Sequence, residues 1–353
     1  MSGISNLKSQ IKKHVAGTTL ESTTLTGGLD GGVSVILPAL NEEASIVPLL
    51  EALAGQTLAP AEIVVADGGS TDRTRELVRG FAARSAFPVV LVETERGLPG
   101  RNRNLAIARA TREWVACIDA GTLPRADWLE RLCEAARREP EARVVFGQFE
   151  ALADTFFTRS AAVVYVPPPG EPVRSTASCM IHREAWERAG PFREDLRSAE
   201  DLLFFRALDA AGVPSAHAPR ALVAWELRPT LSSTFAKFVA YARHNMRAGL
   251  GREWQSGLAR FYAVLLVPLV AGLFFRTLWL GVPALLLLRG TRRVWQWHRR
   301  APRSRRLAAL FNVPRLLMVT WLNVVIDVAA FWGTFQWFVH DRVGVPEAEE
   351  GGG

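Results

Sequence analysis

Two short acidic turns, each closing an apolar run, constrain this chain more than anything else in it. Ile63-Val64-Val65-Ala66 leads into Asp67-Gly68-Gly69-Ser70-Thr71-Asp72, and Trp114-Val115-Ala116-Cys117-Ile118 leads into Asp119-Ala120-Gly121. An apolar run of that length, ended by Asp and Gly, reads as a buried parallel strand with the Asp at its carboxyl end. In open α/β sheets, ligands sit in the crevice beyond those ends. Two carboxylates there, with no basic residue in the same turn, point to hydroxyls, base edges or a metal that escorts phosphates.

The chain around these turns alternates. Strands are expected at residues 33–37, 63–66, 89–92, 114–118, 142–149 and 177–181, with two short ones at 213–218 and 221–225. Helices are expected at 43–54 (with Asn41 as N-cap), 71–83 (capped by Ser70 or Thr71), 100–110, 124–138, 183–189 and 199–212. Strands alternating with helices mean βαβ units and a mostly parallel sheet. Residues 151–176, with Pro167-Pro168-Pro169-Gly170, read as an irregular loop over the site. Residues 1–32 are polar and rich in Gly, Ser and Thr, without an apolar leader segment, and read as a flexible tail. The last residues, 341–353, read as a second tail.

Beyond Pro229 the character changes. Phe235, Phe238, Val239, Ala242, Met246 and Leu250 share one helical face, and Lys237, Arg243, His244 and Arg247 fall mostly elsewhere. A basic amphipathic segment over 231–258 suits a membrane interface. Residues 261–288 and 313–339 are long apolar stretches, and a spanning helix needs roughly 20 such residues. Between them lie Arg289, Arg292, Arg293, Arg299, Arg300, Arg303, Arg305 and Arg306. That loop carries much of the net charge of +7, so anionic membrane lipid is favoured over nucleic acid. Basic loops stay cytoplasmic. The first stretch is therefore expected to leave and return as a hairpin or re-entrant segment, and 313–339 to span. Asp327 within that span needs a partner, and Arg276 is the expected one. Cys117, Cys133 and Cys179 are too few and too scattered for a disulfide framework, which fits a reducing, cytosolic location for the globular part.

Leu37-Pro38-Ala39-Leu40-Asn41-Glu42-Glu43, Asp67-Gly68-Gly69-Ser70-Thr71-Asp72, Arg103-Asn104, Asp119-Ala120-Gly121 and Glu200-Asp201 occur here in one order and spacing. Over residues 33 to about 250 the chain resembles a family-2 inverting glycosyltransferase of the GT-A fold, nearest the bacterial succinoglycan-biosynthesis branch. The resemblance implies an α/β domain over 33–230 that binds a nucleotide-diphosphate sugar, most commonly of uridine. It places Pro38, Asn41, Glu42, Asp67, Gly69, Arg101, Arg103, Asn104, Asp119 and Gly121 around that donor. It makes Asp201 the catalytic base, with Glu200 beside it. It also implies a divalent cation, Mg²⁺ or Mn²⁺, held by Asp119.

One departure stands out, because the family's second motif carboxylate is Gly121 here. Glu226, after the last short strand, is the expected replacement ligand. The acceptor is expected to be lipid-linked or a saccharide, at the plasma membrane. Two other readings are carried. A nucleotidyltransferase would want a Gly-rich, basic loop after the first strand, where Pro38-Ala39-Leu40-Asn41 stands. A catalytically silent membrane scaffold is favoured by Gly121.

Overall fold

The computed structural model describes residue 29 and residues 31–95, 97–168 and 170–343. Both expected tails lie largely outside the described residues. The chain divides into two units, Met1–Leu152 with Pro172–Glu226, and Ala153–Glu171 with Leu227–Gly353.

The first unit is one eight-stranded mixed sheet flanked by helices. In chain order it holds β1 (Val33–Ala39), α1 (Ile46–Ala54), β2 (Glu62–Asp67), α2 (Thr74–Ala82), β3 (Val89–Glu93), α3 (Pro99–Arg109) and β4 (Trp114–Ile118). Then come β5 (Thr122–Pro124), α4 (Trp128–Arg138) and β6 (Val144–Leu152), and, after the excursion into the second unit, β7 (Ser178–His182), α6 (Arg183–Ala189), α7 (Glu200–Ala210) and β8 (Ser215–Glu226). The strand order is β3-β2-β1-β4-β7-β6-β8-β5. The first four strands are parallel, β7 runs against β4 and β6, and β5 runs against β8. β2 and β4 are buried at every position, as near-continuous apolar runs in a sheet covered on both faces must be. One apolar layer joins Leu49, Leu53, Val65, Trp128 and Leu132, and the other joins Ile36, Val64, Ile107, Phe146 and Phe204.

Four expectations change in this unit. Helix α2 begins at Thr74 behind Arg73, so neither Ser70 nor Thr71 caps it. β8 is one strand, because backbone pairing with β6 and β5 carries the chain through Pro219. Thr122–Pro124 forms a short strand, and the following helix starts only at Trp128. Asn41 does not cap α1, which begins at Ile46 behind Ser45. Asn41 has a left-handed backbone instead, φ 55°, a region that Asn tolerates better than most residues.

The second unit is helical: α5 (Phe156–Tyr165), α8 (Leu231–Arg247), α9 (Gly251–Ala271), a 3₁₀ turn (Arg276–Leu280), α10 (Gly281–Trp297), α11 (Arg303–Phe311), α12 (Val313–Gln336) and a π turn (Trp337–Arg342). Helix α5 replaces much of the expected irregular loop. A capping box starts it: the Thr158 amide donates to Thr155 Oγ1 while the Thr155 amide donates to Thr158 Oγ1. Thr, Val and Phe propensities hide such a helix, and packing of Ala161, Val163 and Val164 against Val294, Val319 and Leu322 supplies what propensity lacks. The apolar face of α8 is also covered, since Gly333 of α12 lies against Val239 and Ala242. α9 and α12 with its π turn are each long and apolar enough to cross a membrane. Asp327 pairs with Arg289 rather than with Arg276, and Tyr262 donates to it at 3.1 Å.

Trp128 is fully buried and its Nε1 donates to Ser178 Oγ at 2.9 Å. Trp128→Ala is expected to cost about 3–5 kcal/mol, read as a lower midpoint in denaturant unfolding of the full chain. Arg73→Ala, which breaks an exposed pair with Glu76, should leave that midpoint in place.

Candidate active site

The carboxyl ends of β1, β2 and β4 lie side by side, and the site grows from the loops that leave them. Ala39 stands opposite Asp67 in the β1–β2 register. The loop after β1 is clamped by hydrogen bonds to the segment after β2. Asn41 donates its amide to Ser70 Oγ (2.9 Å) and accepts at Oδ1 from the Thr71 amide (2.8 Å). The Glu42 amide donates to Thr74 Oγ1 (2.7 Å) and the Glu43 amide to Asp72 Oδ2 (3.0 Å). Gly69 has φ +100°, and a Cβ there would meet the Glu95 carbonyl, so the turn requires glycine. Pro38, half-buried, pairs beside Ala66 within β1.

Asp67 is fully buried. Its Oδ1 accepts from the Ser70 amide (2.9 Å), the Gly69 amide (3.1 Å) and Arg75 Nε (2.6 Å). Burial alone would push this carboxyl up, but the bonds from Ser70, Arg75 and Gly69 hold it below the usual carboxylate range. Its Oδ2 is buried with no partner. An ionised oxygen in that state is an acceptor waiting for a donor.

The second cluster centres on Arg103 of α3. Its Nη1 donates to Glu200 Oε1 at 2.5 Å and its Nη2 to Asp119 Oδ1 at 2.6 Å. The guanidinium is buried. Burial opposes its charge, yet Asp119 and Glu200 outweigh it and hold the group far above its usual range. Asp201 follows Glu200 in the first turn of α7, with the Leu202 amide donating to its Oδ1 at 2.7 Å. Burial first, and the Glu200 charge second, push the Asp201 carboxyl up to about 6 against the pull of Arg103. Ala199, just ahead of this pair, has φ 71°, and a left-handed backbone costs a non-glycine residue of order 1–3 kcal/mol. Such cost persists only where the surroundings over-determine the geometry.

The structure thus brings Asp119, Glu200, Asp201 and Arg103 together and puts Asp67 two strands away on the same sheet rim. Arg103 was expected beside donor phosphates; it is committed to carboxylates instead. Asn104 was expected there too, but both ends of its amide are used. Nδ2 donates to the Phe192 carbonyl and to Glu194 (2.9 Å each), and Oδ1 accepts from the Phe192 amide (2.9 Å). It holds the loop before α7. Arg101 is exposed in the first turn of α3 and lines a hollow of about 530 Å³ with Val92, Glu93, Thr94, Glu95 and Leu105. That hollow holds none of the four clustered residues. Arg75 went unnoticed in the sequence, since nothing local ties it to Asp67 eight positions earlier.

Gly121 has φ +80°, and the nearest side-chain atom to a Cβ placed there is Glu42 Oε2 at 3.9 Å. Glu226 closes β8, one residue past the Thr122–Trp225 pair, and is exposed. Among the described residues no three His, Cys, Asp or Glu side chains converge to hold a metal ion. Asp119 gives one oxygen to Arg103, and Gly121 offers none. The residues present therefore do not by themselves build the expected centre of Asp119 and Glu226.

Residues 34–198 match the family model described as Glycosyl transferase family 2. This part of the chain belongs to that family, and its sheet is a GT-A-like α/β fold. The poly(ribitol-phosphate) beta-N-acetylglucosaminyltransferase TarS of Staphylococcus aureus is 30% identical over 190 residues, 48% of this chain and 31% of that one. The succinoglycan biosynthesis protein ExoA of Rhizobium meliloti is 27% identical over 254 residues, 67% of this chain and 76% of that one. Across the first curated relatives the match spans 31% to 54% of their length. The mannosyltransferase PcManGT of Pyrobaculum calidifontis, solved with GDP-Man and Mn²⁺, superposes with a TM-score of 0.53 at 19% identity over 95% of this chain and 94% of that one. The last likeness is one of fold.

Arg103→Met removes the counterion of three clustered acids. It is expected to cost about 3–5 kcal/mol, with a larger fall in melting temperature at pH 8 than at pH 5. Without the guanidinium, the Asp201 carboxyl, already raised above its unfolded value, rises further. Its contribution is then fully present at low pH and lost as pH rises through the folded value. An equal fall at both pH values would show that the cluster does not depend on this charge.

Proposed function

We propose that this chain is an inverting glycosyltransferase that moves a sugar from a nucleotide-diphosphate donor, most commonly a uridine one, to a lipid-linked or saccharide acceptor at a membrane. The observation that carries it is Asp201. It is a half-buried carboxyl at the start of α7, pushed up to about 6, inside a cluster at the carboxyl end of a parallel sheet. A base is most useful with a value near working pH. In this reading the acceptor hydroxyl oxygen bonds to the anomeric carbon on the face opposite the leaving group. The hydroxyl proton goes to Asp201, and the bond from the anomeric carbon to the diphosphate oxygen breaks with its electron pair leaving on the nucleoside diphosphate. Glu200 tunes Asp201 through its charge, and Arg103 keeps both acids folded in place.

Donor recognition rests on the clamped loops. Asp67 Oδ2 is a buried, ionised acceptor without a donor, which suits an N–H of a nucleotide base. Pro38, Asn41, Glu42 and Gly69 shape the walls around it, and Arg101 supplies the cationic side chain nearest the start of α3. The relatives and the fold neighbour named above act on nucleotide sugars or polymers by their names, which supports the class of substrate. The geometry at Asp119 and Glu226 does not support a cation centre, and donor binding with and without Mn²⁺ tests whether a cation takes part. The apolar second unit supports membrane association, and its arginines between 289 and 306 favour a cytoplasmic side for the first unit. A silent scaffold is the second reading, favoured by Gly121.

Asp201→Asn separates them. Release of nucleoside diphosphate should fall about 10²–10⁴-fold, while donor binding, read by thermal shift across UDP- and GDP-sugars with and without Mn²⁺, stays within about twofold. A scaffold would show no release to lose. Asp67→Asn should instead weaken nucleotide binding about 10–100-fold, the worth of a hydrogen bond to a charged group. The wild-type rate should rise with pH through about 6, as Asp201 loses its proton.

A further inference from the structure

We infer that the helical unit enters one leaflet of an anionic bilayer and that α12 lies along the membrane surface instead of crossing it. This goes beyond the glycosyl-transfer reading and does not depend on it.

The first observation is what α12 is bound to. Its C-terminal part runs beside α8 and parallel to it: Gly333 lies against Val239 and Ala242, and Asp341 binds Arg243 and Arg247. Helix α8 contains Ser232, Ser233, Lys237, Arg243, His244 and Arg247. At 17 residues it is not one of the two helices long and apolar enough to cross a membrane. If α12 crossed, this polar helix would be drawn into hydrocarbon with it, where each such group is costly. A helix of 24 residues rises about 36 Å, long enough to span, yet its neighbour forbids the crossing.

The outer face of α12 points the same way. Leu317, Trp321, Val328, Phe331, Trp332 and Phe335 are exposed along it. Trp321 and Trp332 stand within the helix, whereas a span carries its Trp and Tyr in belts at the two ends. An apolar face with interior tryptophans suits a helix lying in the headgroup boundary.

The second observation is the hairpin of α9, the 3₁₀ turn and α10. Its base is fixed to α12 by Gln255 donating to Thr334 (2.7 Å) and by the Tyr262–Asp327–Arg289 cluster. Beyond that base its side chains turn outward, with Leu273, Phe274, Phe275 and Leu280 all more than two-thirds exposed. From Phe261 to Ala271 the arm rises about 16 Å, roughly half of a hydrocarbon core of about 30 Å. Arg276 is the one charge between Phe261 and Leu288, and its long stem lets the guanidinium seek polar surroundings. Both ends of the hairpin are polar: Arg260 on one arm, and Arg289, Arg292 and Arg293 on the other.

Helix α11 supplies the charge complement. Its inner face, with Arg306, Ala309 and Leu310, turns to Trp295 and to the α10–α12 core. Its outer face presents Leu307 and Phe311 between Arg303 and Arg305, all exposed. An apolar strip edged by arginines matches a leaflet with anionic headgroups.

The three native cysteines are buried, so single surface cysteines on the full chain can carry a fluorophore with little background. Labels at Phe274→Cys, Leu317→Cys and Phe335→Cys are read by depth-dependent quenching after the protein is added to preformed vesicles of equimolar phosphatidylglycerol and phosphatidylcholine. The expected result is equal, shallow depth at 317 and 335, both reached by an impermeant quencher added outside, and the greatest depth at 274. Arg303→Gln with Arg305→Gln should weaken binding to these vesicles about fivefold per residue removed and change binding to phosphatidylcholine alone little. Protection of 335 with 317 still reached would mean that α12 crosses, and would overturn the inference. Absence of lipid quenching at all three sites would also overturn it and assign the apolar faces to another protein surface. Neither reading involves sugar transfer, so loss of activity and loss of this arrangement are distinguishable.

Discussion

The bond set around Arg103 is the constraint on which the first unit depends. A guanidinium with almost no contact to water is held by Glu200 at 2.5 Å and Asp119 at 2.6 Å, with Asp201 next to both. Breaking such an arrangement by removing one partner leaves uncompensated buried charge, which is worse than never having built it. Arg103 belongs to α3, Asp119 to the end of β4 and Glu200 to the start of α7. One side chain therefore ties three elements that are far apart in sequence. It also fixes the chemistry: one cation among three acids leaves an excess of negative charge, and the acid with no direct bond to Arg103, Asp201, is the one whose ionisation moves toward neutral pH.

The same bond limits what Asp119 can do. A carboxylate that gives one oxygen to arginine has a single oxygen left for a ribose, a sugar hydroxyl or a cation. With Gly121 where another acid could stand, the free acceptor capacity of the rim lies mainly in its other turn. That turn is built differently. Asp67 is stabilised as an anion by amides and Arg75, and Asn41 and Glu42 bind it to the loop after β1. One end of the rim is thus held ionised by hydrogen bonds, while burial at the other holds an acid close to its protonated form. Opposite environments for acids in one site are how binding and proton transfer are kept separate.

The parts of this fold legible in the sequence are those written locally. β2 and β4 could be placed to within a residue or so because unbroken apolar runs ended by Asp-Gly or Asp-Ala-Gly have few other readings. Gly69 was readable as a turn residue for the same reason. What could not be read was set by partners distant in sequence. Arg103 looks like a phosphate ligand until Glu200, 97 positions later, is seen to occupy it. Asn104 likewise looks free until Phe192 and Glu194 take both ends of its amide. Helix α5 was hidden because Thr155 and Thr158 read as loop residues, although together they form the capping box that starts it. β8 was read as two strands because Pro219 interrupts the pattern, while pairing on both sides carries it through.

The helical unit makes the same point about hydropathy. A window over α12 measures composition along one helix and nothing about what lies beside it. Asp327 illustrates the gap. In a lone span it would be a charge in hydrocarbon; here Arg289 and Tyr262 meet it where the hairpin joins α12. A cluster in that place is a joint between two elements, able to stay at headgroup depth while the apolar arms beyond it go deeper. The polar residues of α8 then cease to be an anomaly next to so apolar a helix. His244 is buried, and Arg243 and Arg247 are half-buried on Asp341, a charged cluster that can stay at headgroup depth. Insertion depth in such a unit is therefore set by its most polar packed element, and no helix bound to α8 can sink further than α8 itself allows.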